Sequence, residues 1–398
     1  MPEPSTPVAE LPSDLRVALV HDWLTGMRGG EKVLADLCAV FPQADIFTLL
    51  HLPGQVDPVF ESHRIQTSFI QQLPAAARIY RWALPLFPRA VEAFDLSGYD
   101  LVLSSSHCVA KSARPGRSAL SVCYCHTPMR YIRDTFSEYF GGKPAPIRWL
   151  IGRVATRLRS WDTRTATRVR LWLANSSTVR QRILDWYDVA AEDVTIIHPP
   201  VDMALYGTAA AAPPRGLASG SYDLVVSALV PYKRIDLAIV AAKQAGRHLV
   251  VVGKGPEAKR LQRLAAVAAG DGQVTFAGPV PTAELPAYYG HCRAFLFPGL
   301  EDFGITPLEA TACGRPVVAY GEGGALDSVV EGLNGFFFPE QTAAALTAAL
   351  ADPRLADAWD RDAMAAHARS FDRCCFRQAI RRRLARAWQR HSEGEMHV

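Results

Sequence analysis

One pattern occurs twice along this chain, and that repetition constrains the fold more than any other feature. Arg16–Val20 (RVALV) is an apolar run suited to a buried parallel strand. A glycine-rich turn follows at Gly26, Gly29 and Gly30, and then Glu31–Phe41, where Val33, Leu34, Leu37 and Val40 recur at helical spacing. Strand, glycine turn and helix together open a nucleotide-binding α/β domain. Ile46–Leu50, Leu101–Ser104, Leu120–Cys123 and Leu171–Ala174 are further strand candidates. The pattern restarts with a strand at Tyr222–Ser227, a helix at Asp236–Gln244 and a strand at His248–Val252 that ends in Gly253 and Gly255. Ala294–Phe297 and Pro316–Ala319 continue it. A chain of 398 residues is also too long for one ordinary core. The expectation is therefore an α/β protein of two Rossmann-like domains, residues 1–198 and 199–375. The stretch from His198 to Pro214, rich in Ala and Pro, serves as linker.

Composition narrows the function. A formal net charge of +4 argues against a dedicated nucleic-acid binder, which needs a strongly basic domain. The 8 cysteines are scattered, mostly in apolar runs, which reads as buried free thiols in a reducing cytoplasm. The N-terminus shows no basic and apolar signal segment, and no stretch is long and uncharged enough to span a bilayer. Cys123, Cys125 and His126 lack a second Cys/His pair at zinc-like spacing.

The strongest chemical signal lies at residues 298–310, PGLEDFGITPLEA. A strand ends at Phe297, a loop carries Glu301, Phe303 and Gly304, and a helix follows. Thr306 suits the N-cap, Pro307 the first helical position, and Glu309 falls three residues after the cap. A helix N-terminus at the carboxyl end of a parallel strand is where an α/β fold binds phosphate. The backbone N–H groups at Gly304, Ile305 and Thr306 would meet an anionic donor, Glu301 sugar hydroxyls and Glu309 a ribose diol. Thr306 and Glu309 also read as a plain capping box, and these residues alone leave the two readings even. Lys233 and Arg234, just after a strand, can clamp a diphosphate or form an ordinary surface pair. His126 follows a strand in CYCHTPMRY, near Arg130.

This segment resembles the Glu-x7-Glu motif of glycosyltransferase family 4, the retaining transferases with the two-domain GT-B fold. The residues after it, ACGRPVVA at 312–319, Gly323, Gly324 and EGLNG at 331–335, resemble that family's continuation. The segment around His126 resembles that of bacterial polysaccharide mannosyltransferases. The resemblance implies an active site in the cleft between the two domains. There Lys233 and Arg234 would face the donor diphosphate, and His126 and Glu301 would hold the transferred sugar. Gly29 and Gly30 would let the backbone approach the donor. Ala228 stands where the family usually has Arg, and Arg234 is the substitute positive charge. Asp22 and Arg130 are the acceptor-side candidates. The resemblance further implies retention by front-face attack, with a donor phosphate oxygen accepting the acceptor's proton. It makes GDP-mannose the expected donor, with a UDP-sugar on the same fold as the alternative, and a glycan or lipid-linked oligosaccharide the acceptor, in bacterial surface polysaccharide synthesis. It also implies that the C-terminal helix, at about 376–398, crosses back to the first domain.

No cofactor or metal is expected, since no Asp-x-Asp pair follows a strand and Asp360 and Asp362 lie in a helical pattern. Two stretches point to a surface partner. Residues 143–170 carry Lys143, Arg148, Arg153, Arg157, Arg159, Arg164, Arg168 and Arg170 against Asp162. Residues 71–94 carry Arg78, Arg81, Trp82, Leu86 and Arg89. Each reads equally as a packed amphipathic helix or as a contact with an anionic membrane surface, so the expected location is cytoplasmic, peripheral on the inner face of the membrane. Two other readings stand beside the transferase: an epimerase or phosphorylase on the same fold, and a non-catalytic binding subunit.

Overall fold

The computed structural model describes residues 10–133, 144–207, 212–356 and 358–394. The chain divides into two compact units, residues 1–198 with 376–398, and residues 199–375. Unit 1 is built on β1 (Val17–His21), β2 (Asp45–Thr48), β3 (Ile65–Thr67), β4 (Leu101–Ser106), β5 (Leu120–Cys125), β6 (Leu171–Ala174) and β7 (Val194–Ile196). Unit 2 is built on β8 (Asp223–Val226), β9 (Leu249–Val252), β10 (Val274–Gly278), β11 (Phe295–Phe297), β12 (Val317–Tyr320) and β13 (Gly335–Phe338).

All pairings within the two sheets are parallel. The strand orders are β3-β2-β1-β4-β5-β6-β7 and β10-β9-β8-β11-β12-β13. Numbered within its own unit, each sheet carries the doubly wound order 3-2-1-4-5-6, to which unit 1 adds a seventh strand beside the sixth. The order reverses between β1 and β4 in unit 1, and between β8 and β11 in unit 2. At such a point the loops leaving the two strands diverge to opposite faces and open a crevice beyond the carboxyl ends.

Burial on both sides makes the inner strands apolar. Along β1, Val17 and Leu19 point into one core layer and Ala18 and Val20 into the other, following the two-residue period of a strand. The first layer is closed by the helix Gly29–Val40, through Val33, Leu34 and Leu37, and by Phe376, Ile380 and Leu384 of the helix Arg373–Ser392. Arg377 bonds Asp36 at 2.7 Å beside them. The second layer contains Tyr80, Phe87, Leu158 and Trp161.

Two expectations change at this level. Thr306 does not cap its helix: the helix is Thr306–Ala312, Ile305 is the N-cap, and no side chain caps it. The helix therefore starts one residue earlier than the Thr306/Glu309 spacing implied, and there is no capping box. The second concerns the basic stretch at 143–170, where the packed reading fits one end of the helix and not the other. The helix Ala145–Ala166 buries Leu158 and Trp161 in its C-terminal half but exposes Ile147, Trp149 and Leu150 near its start. Lys143 lies outside the described residues.

Candidate functional site

In unit 2 the crevice is lined by the loops after β8 and β11. The first loop closes with a 3₁₀ turn, Pro231–Lys233, and Arg234 stands in the left-handed region at φ 50°. The second carries Glu301. Gly299 lets the two loops touch, because a Cβ there would lie 2.9 Å from the Lys233 Cα. This closeness joins Lys233 Nζ to Glu301 Oε2 in an ion pair, with both side chains more than four-fifths buried. Burial works against the Lys233 ammonium, but Glu301, Tyr232 and Asp302 outweigh it and hold the pKa above the ordinary lysine value. Lys233 thus stands as a cation on the loop after β8, beside the reversal of strand order.

Arg234 is turned another way. Its guanidinium bonds Asp236 at 3.3 Å and Gln341 at 3.2 Å. Gly304, at φ 79°, fits against the Phe297 ring, where a Cβ would come within 2.3 Å. That turn carries the backbone through Ile305 into the helix Thr306–Ala312. Phe303 is a core residue, 3% exposed. Glu309 is also inside the unit, and its Oε2 accepts the Tyr289 hydroxyl at 2.8 Å. Of the residues read from sequence here, Lys233 and Glu301 meet directly, whereas Arg234 and Glu309 have partners of their own.

In unit 1 the loops after β1 and β4 form the corresponding crevice. Its chemistry is a group of imidazoles. His126, after β5, holds Ser105 Oγ through Nε2 at 2.8 Å, and its carbonyl accepts the Asn175 side chain at 2.9 Å. His21, the last residue of β1, bonds the Ser105 carbonyl through Nδ1 at 3.0 Å. His107 lies with its ring centroid 6.1 Å from that of His21 and 6.4 Å from that of His126. Burial first, then the neighbouring His107 and His21, keeps His126 well below the ordinary imidazole pKa. Burial also lowers His21, against the opposing pull of Glu31.

Gly29 and Gly30 are the first two residues of the helix Gly29–Val40. Neither needs a left-handed backbone. A Cβ on Gly30 would sit 3.6 Å from both His126 Nε2 and His21 Cε1, so Gly30 keeps the space over the imidazoles open. Arg130 opens the turn Arg130–Ile132, anchored by buried Met129 and Ile132.

Asp22 requires correction as a direct acceptor contact. It is fully buried, and its carboxylate is already committed. Oδ2 accepts the N–H groups of His107 and Cys108 at 2.7 and 2.9 Å, and Oδ1 those of Val109 and Ala110 at 2.6 and 2.8 Å. Asp22 builds the loop after β4. His107, Ser105, His21 and Asn175 were not read from the sequence, although the polar run Ser104, Ser105, Ser106, His107 at the end of an apolar strand was a usable signal. Among the described residues, no group of three or more His, Cys, Asp or Glu could hold a metal. Asp360 caps the helix Arg361–Arg369.

Two family models match the chain: "Glycosyltransferase Family 4" over residues 27–205 and "Glycosyl transferases group 1" over 221–369. A GDP-mannose-dependent alpha-(1-6)-phosphatidylinositol monomannoside mannosyltransferase of Mycolicibacterium smegmatis is 36% identical over 160 residues, 36% of this chain and 42% of that protein. A D-inositol 3-phosphate glycosyltransferase of Frankia alni is 32% identical over 218 residues, 50% of this chain and 51% of that protein. The chain thus spans about half the length of these relatives. Among solved structures, the sucrose-phosphate synthase of Thermosynechococcus elongatus superposes with a TM-score of 0.71 at 18% identity, covering 94% of this chain and 100% of the other. Anabaena HepE in complex with UDP-glucose superposes with 0.67 at 19%, covering 93% and 99%. These likenesses establish the GT-B fold, two Rossmann-like units in one chain.

Proposed function

We propose that this GT-B-fold relative of the family 4 and group 1 glycosyltransferases moves a hexose from a nucleoside diphosphate sugar to a glycan or lipid-linked acceptor. The observation that carries this reading is the buried Lys233–Glu301 pair at the unit 2 switch point. A cation and a carboxylate in contact at this position can exchange that contact for a donor. The diphosphate takes the ammonium, and the released carboxylate accepts sugar hydroxyls. The backbone of Gly304, Ile305 and Thr306 at the start of the next helix adds the polar groups of that edge. In unit 1, neutral His126 would hydrogen-bond the sugar without adding charge. A cation that stabilises the departing diphosphate does the electrostatic work of transfer, and no metal or cofactor is part of this reading.

Two donors have support. The mycobacterial-type relatives are named for GDP-mannose, and residues 126–131 match the mannosyl pattern. The structures of HepE hold UDP and UDP-glucose, and this UDP-sugar reading has the broader support on the fold. Calorimetric titration of the protein with GDP and UDP in EDTA separates them. Binding of GDP favours the mannosyl donor and binding of UDP alone overturns it. Binding of neither, with or without added Mg²⁺, overturns the nucleotide-sugar reading.

The acceptor side of the proposal includes an anionic membrane surface. Trp82 is 83% exposed, Trp149 64% and Leu150 58%, with Arg78, Arg81 and Arg153 beside them in sequence. Aromatic and basic side chains together suit the headgroup region. Among the described residues no helix is long and apolar enough to cross a membrane. Co-sedimentation with vesicles containing phosphatidylglycerol is expected, with several-fold weaker binding for Trp82→Ser with Trp149→Ser. Equal binding by the double variant would remove these two stretches from the proposal.

A further inference from the structure

Six of the 8 cysteines are buried or half-buried, as their mostly apolar surroundings imply. Cys374 and Cys375 are the exception. They are consecutive, both are exposed, and their Sγ atoms lie 3.9 Å apart. We propose that these two thiols form a reversible oxidation site, which hydrogen peroxide closes to a disulfide and a small thiol such as glutathione reopens. The site is independent of the transferase reading above, and so is its test.

The two sulfurs are made unequal by Asp372. Its Oδ2 accepts the Cys374 thiol at 3.1 Å, and its Oδ1 accepts the Met203 N–H at 3.3 Å. Burial works against this carboxylate, but the Cys374 thiol and the N–H groups of Arg373, Met203 and Cys374 outweigh it and hold the Asp372 pKa below the ordinary value. Asp372 is therefore a standing anion at neutral pH, and it keeps the proton on Cys374. Its hydrogen bond first, then the neighbouring Cys375, pushes the Cys374 thiol up to about 11. The Cys375 thiol turns instead to the Arg369 carbonyl, at 3.5 Å. A thiolate attacks and a thiol does not. Cys374 is held as a thiol, which leaves Cys375 as the sulfur that meets the oxidant and Cys374 as the one that closes the bond.

The backbone makes the closed form easy to reopen. Consecutive Cα atoms are about 3.8 Å apart, closer than the roughly 4.4–6.8 Å of ordinary disulfides. A bond between neighbours therefore strains the chain that carries it, and strained disulfides are the readily reduced ones. The position in the fold limits what the strain disturbs. Both residues lie in the first turn of the helix Arg373–Ser392, where backbone N–H groups have no partner within the helix. That turn is also where the chain passes from unit 2 into unit 1, between Cys375 and Phe376.

The step balances. The Cys375 thiolate attacks one peroxide oxygen, the O–O bond breaks, and the sulfur becomes a sulfenic acid. The released hydroxide takes up the proton that Cys375 had given to solvent and becomes water. Cys374 then attacks Cys375 Sγ, the S–O bond breaks, and an S–S bond forms. The departing hydroxide takes the Cys374 proton, passed on by Asp372, and becomes the second water. Two thiols have lost two electrons, and one peroxide has gained them. Two glutathione thiols reverse the change by exchange and end as glutathione disulfide.

The full chain is treated with hydrogen peroxide, its remaining thiols are alkylated, and the mass of the tryptic peptide 374–377 (CCFR) is measured. Wild type is expected to give a peptide lighter by two hydrogens and closed to alkylation, which glutathione restores. Cys374→Ser should stop at a sulfenic acid that dimedone captures. Cys375→Ser should react with peroxide about tenfold more slowly than Cys374→Ser. Each variant replaces an exposed side chain with one of nearly the same shape, so the core is untouched. Wild-type thiols that stay open to alkylation overturn the proposal, as does a disulfide that joins two chains. Equal peroxide reactivity of the two variants, or a closed pair that glutathione fails to reopen, overturns it as well.

Discussion

The two units repeat one strand order and present opposite chemistry at the place where that order reverses. Unit 2 places a full positive charge there, Lys233, balanced by Glu301. Unit 1 places imidazoles there that burial holds toward the neutral form, with the Asp22 carboxylate buried and saturated by backbone N–H groups. The fold supplies a crevice in both cases, and side chains alone decide what it can hold. A charged crevice suits a diphosphate. A neutral one, rich in lone pairs and N–H groups, suits hydroxyls, which need direction more than charge. The predictions below try to break this division, starting with the largest effect.

Asp22→Ala strikes unit 1 hardest. It leaves four buried N–H groups without their acceptor and frees the His107 ring. Removing one partner from a buried charged network costs about 3–5 kcal/mol. Because each unit has its own core, hydrogen exchange should show lost protection in β1 and β4 while β8 and β11 remain protected. Equal loss in both units would mean that they unfold as one. Lys233→Ala comes next. It should lower kcat by about 10²- to 10³-fold, as loss of one preorganised electrostatic group does, and lower the thermal midpoint as well, because Glu301 is left buried without its cation. A variant that keeps its turnover would show that the cation does not face the donor.

The inner strands could be read from the sequence and the sheet edges could not. All nine strands read from apolar runs are interior: β1, β2, β4, β5, β6, β8, β9, β11 and β12. The four that escaped, β3, β7, β10 and β13, are the two edges of each sheet. The reason is physical. An interior parallel strand is covered on both faces and must be apolar throughout, whereas an edge strand such as β3 (IQT) or β10 (VTFAG) is only partly covered. The candidate site follows the same logic. Lys233, Glu301 and His126 were legible because each stands just after an apolar strand. The link between Asp22 and residues 107–110 spans more than eighty positions and left no local spacing to read. The Thr306/Glu309 spacing misled for the opposite reason. It is a sound local signal, but tertiary packing overrides it by drawing Glu309 to the Tyr289 hydroxyl.

Acidification should separate the units. His21 and His126 are held below the ordinary imidazole pKa by burial. In the window below about 6.5, the unfolded chain takes up protons that folded unit 1 refuses, so unit 1 loses stability as pH falls. Buried Asp223 in unit 2 works the other way. Burial outweighs Arg247 and raises its pKa, so acid favours the folded form there. His248, more exposed and partly supported by Asp223, shares the unit 1 direction only weakly. Hydrogen exchange at pH 5 and pH 7 should therefore show protection falling first around β1 and β5. A first loss around β8 and β9 would contradict the assignment of neutral imidazoles to unit 1.

The smallest effect is the sharpest test of what Gly30 is for. Glycine in a helix is less stable than alanine by roughly 0.5–1 kcal/mol, and Gly30 is helical with an ordinary backbone. Its Cβ would meet His126 and His21 at normal contact distance, with no clash to repair. Gly30→Ala should therefore raise the thermal midpoint slightly. The same methyl occupies the space above the imidazoles, so turnover should fall even as stability rises. Gly29→Ala is the control, since a Cβ there meets nothing within 4 Å. It should gain stability and keep its activity. If both alanines leave turnover unchanged, the opening over the imidazoles admits no substrate, and Gly30 marks only the start of a helix.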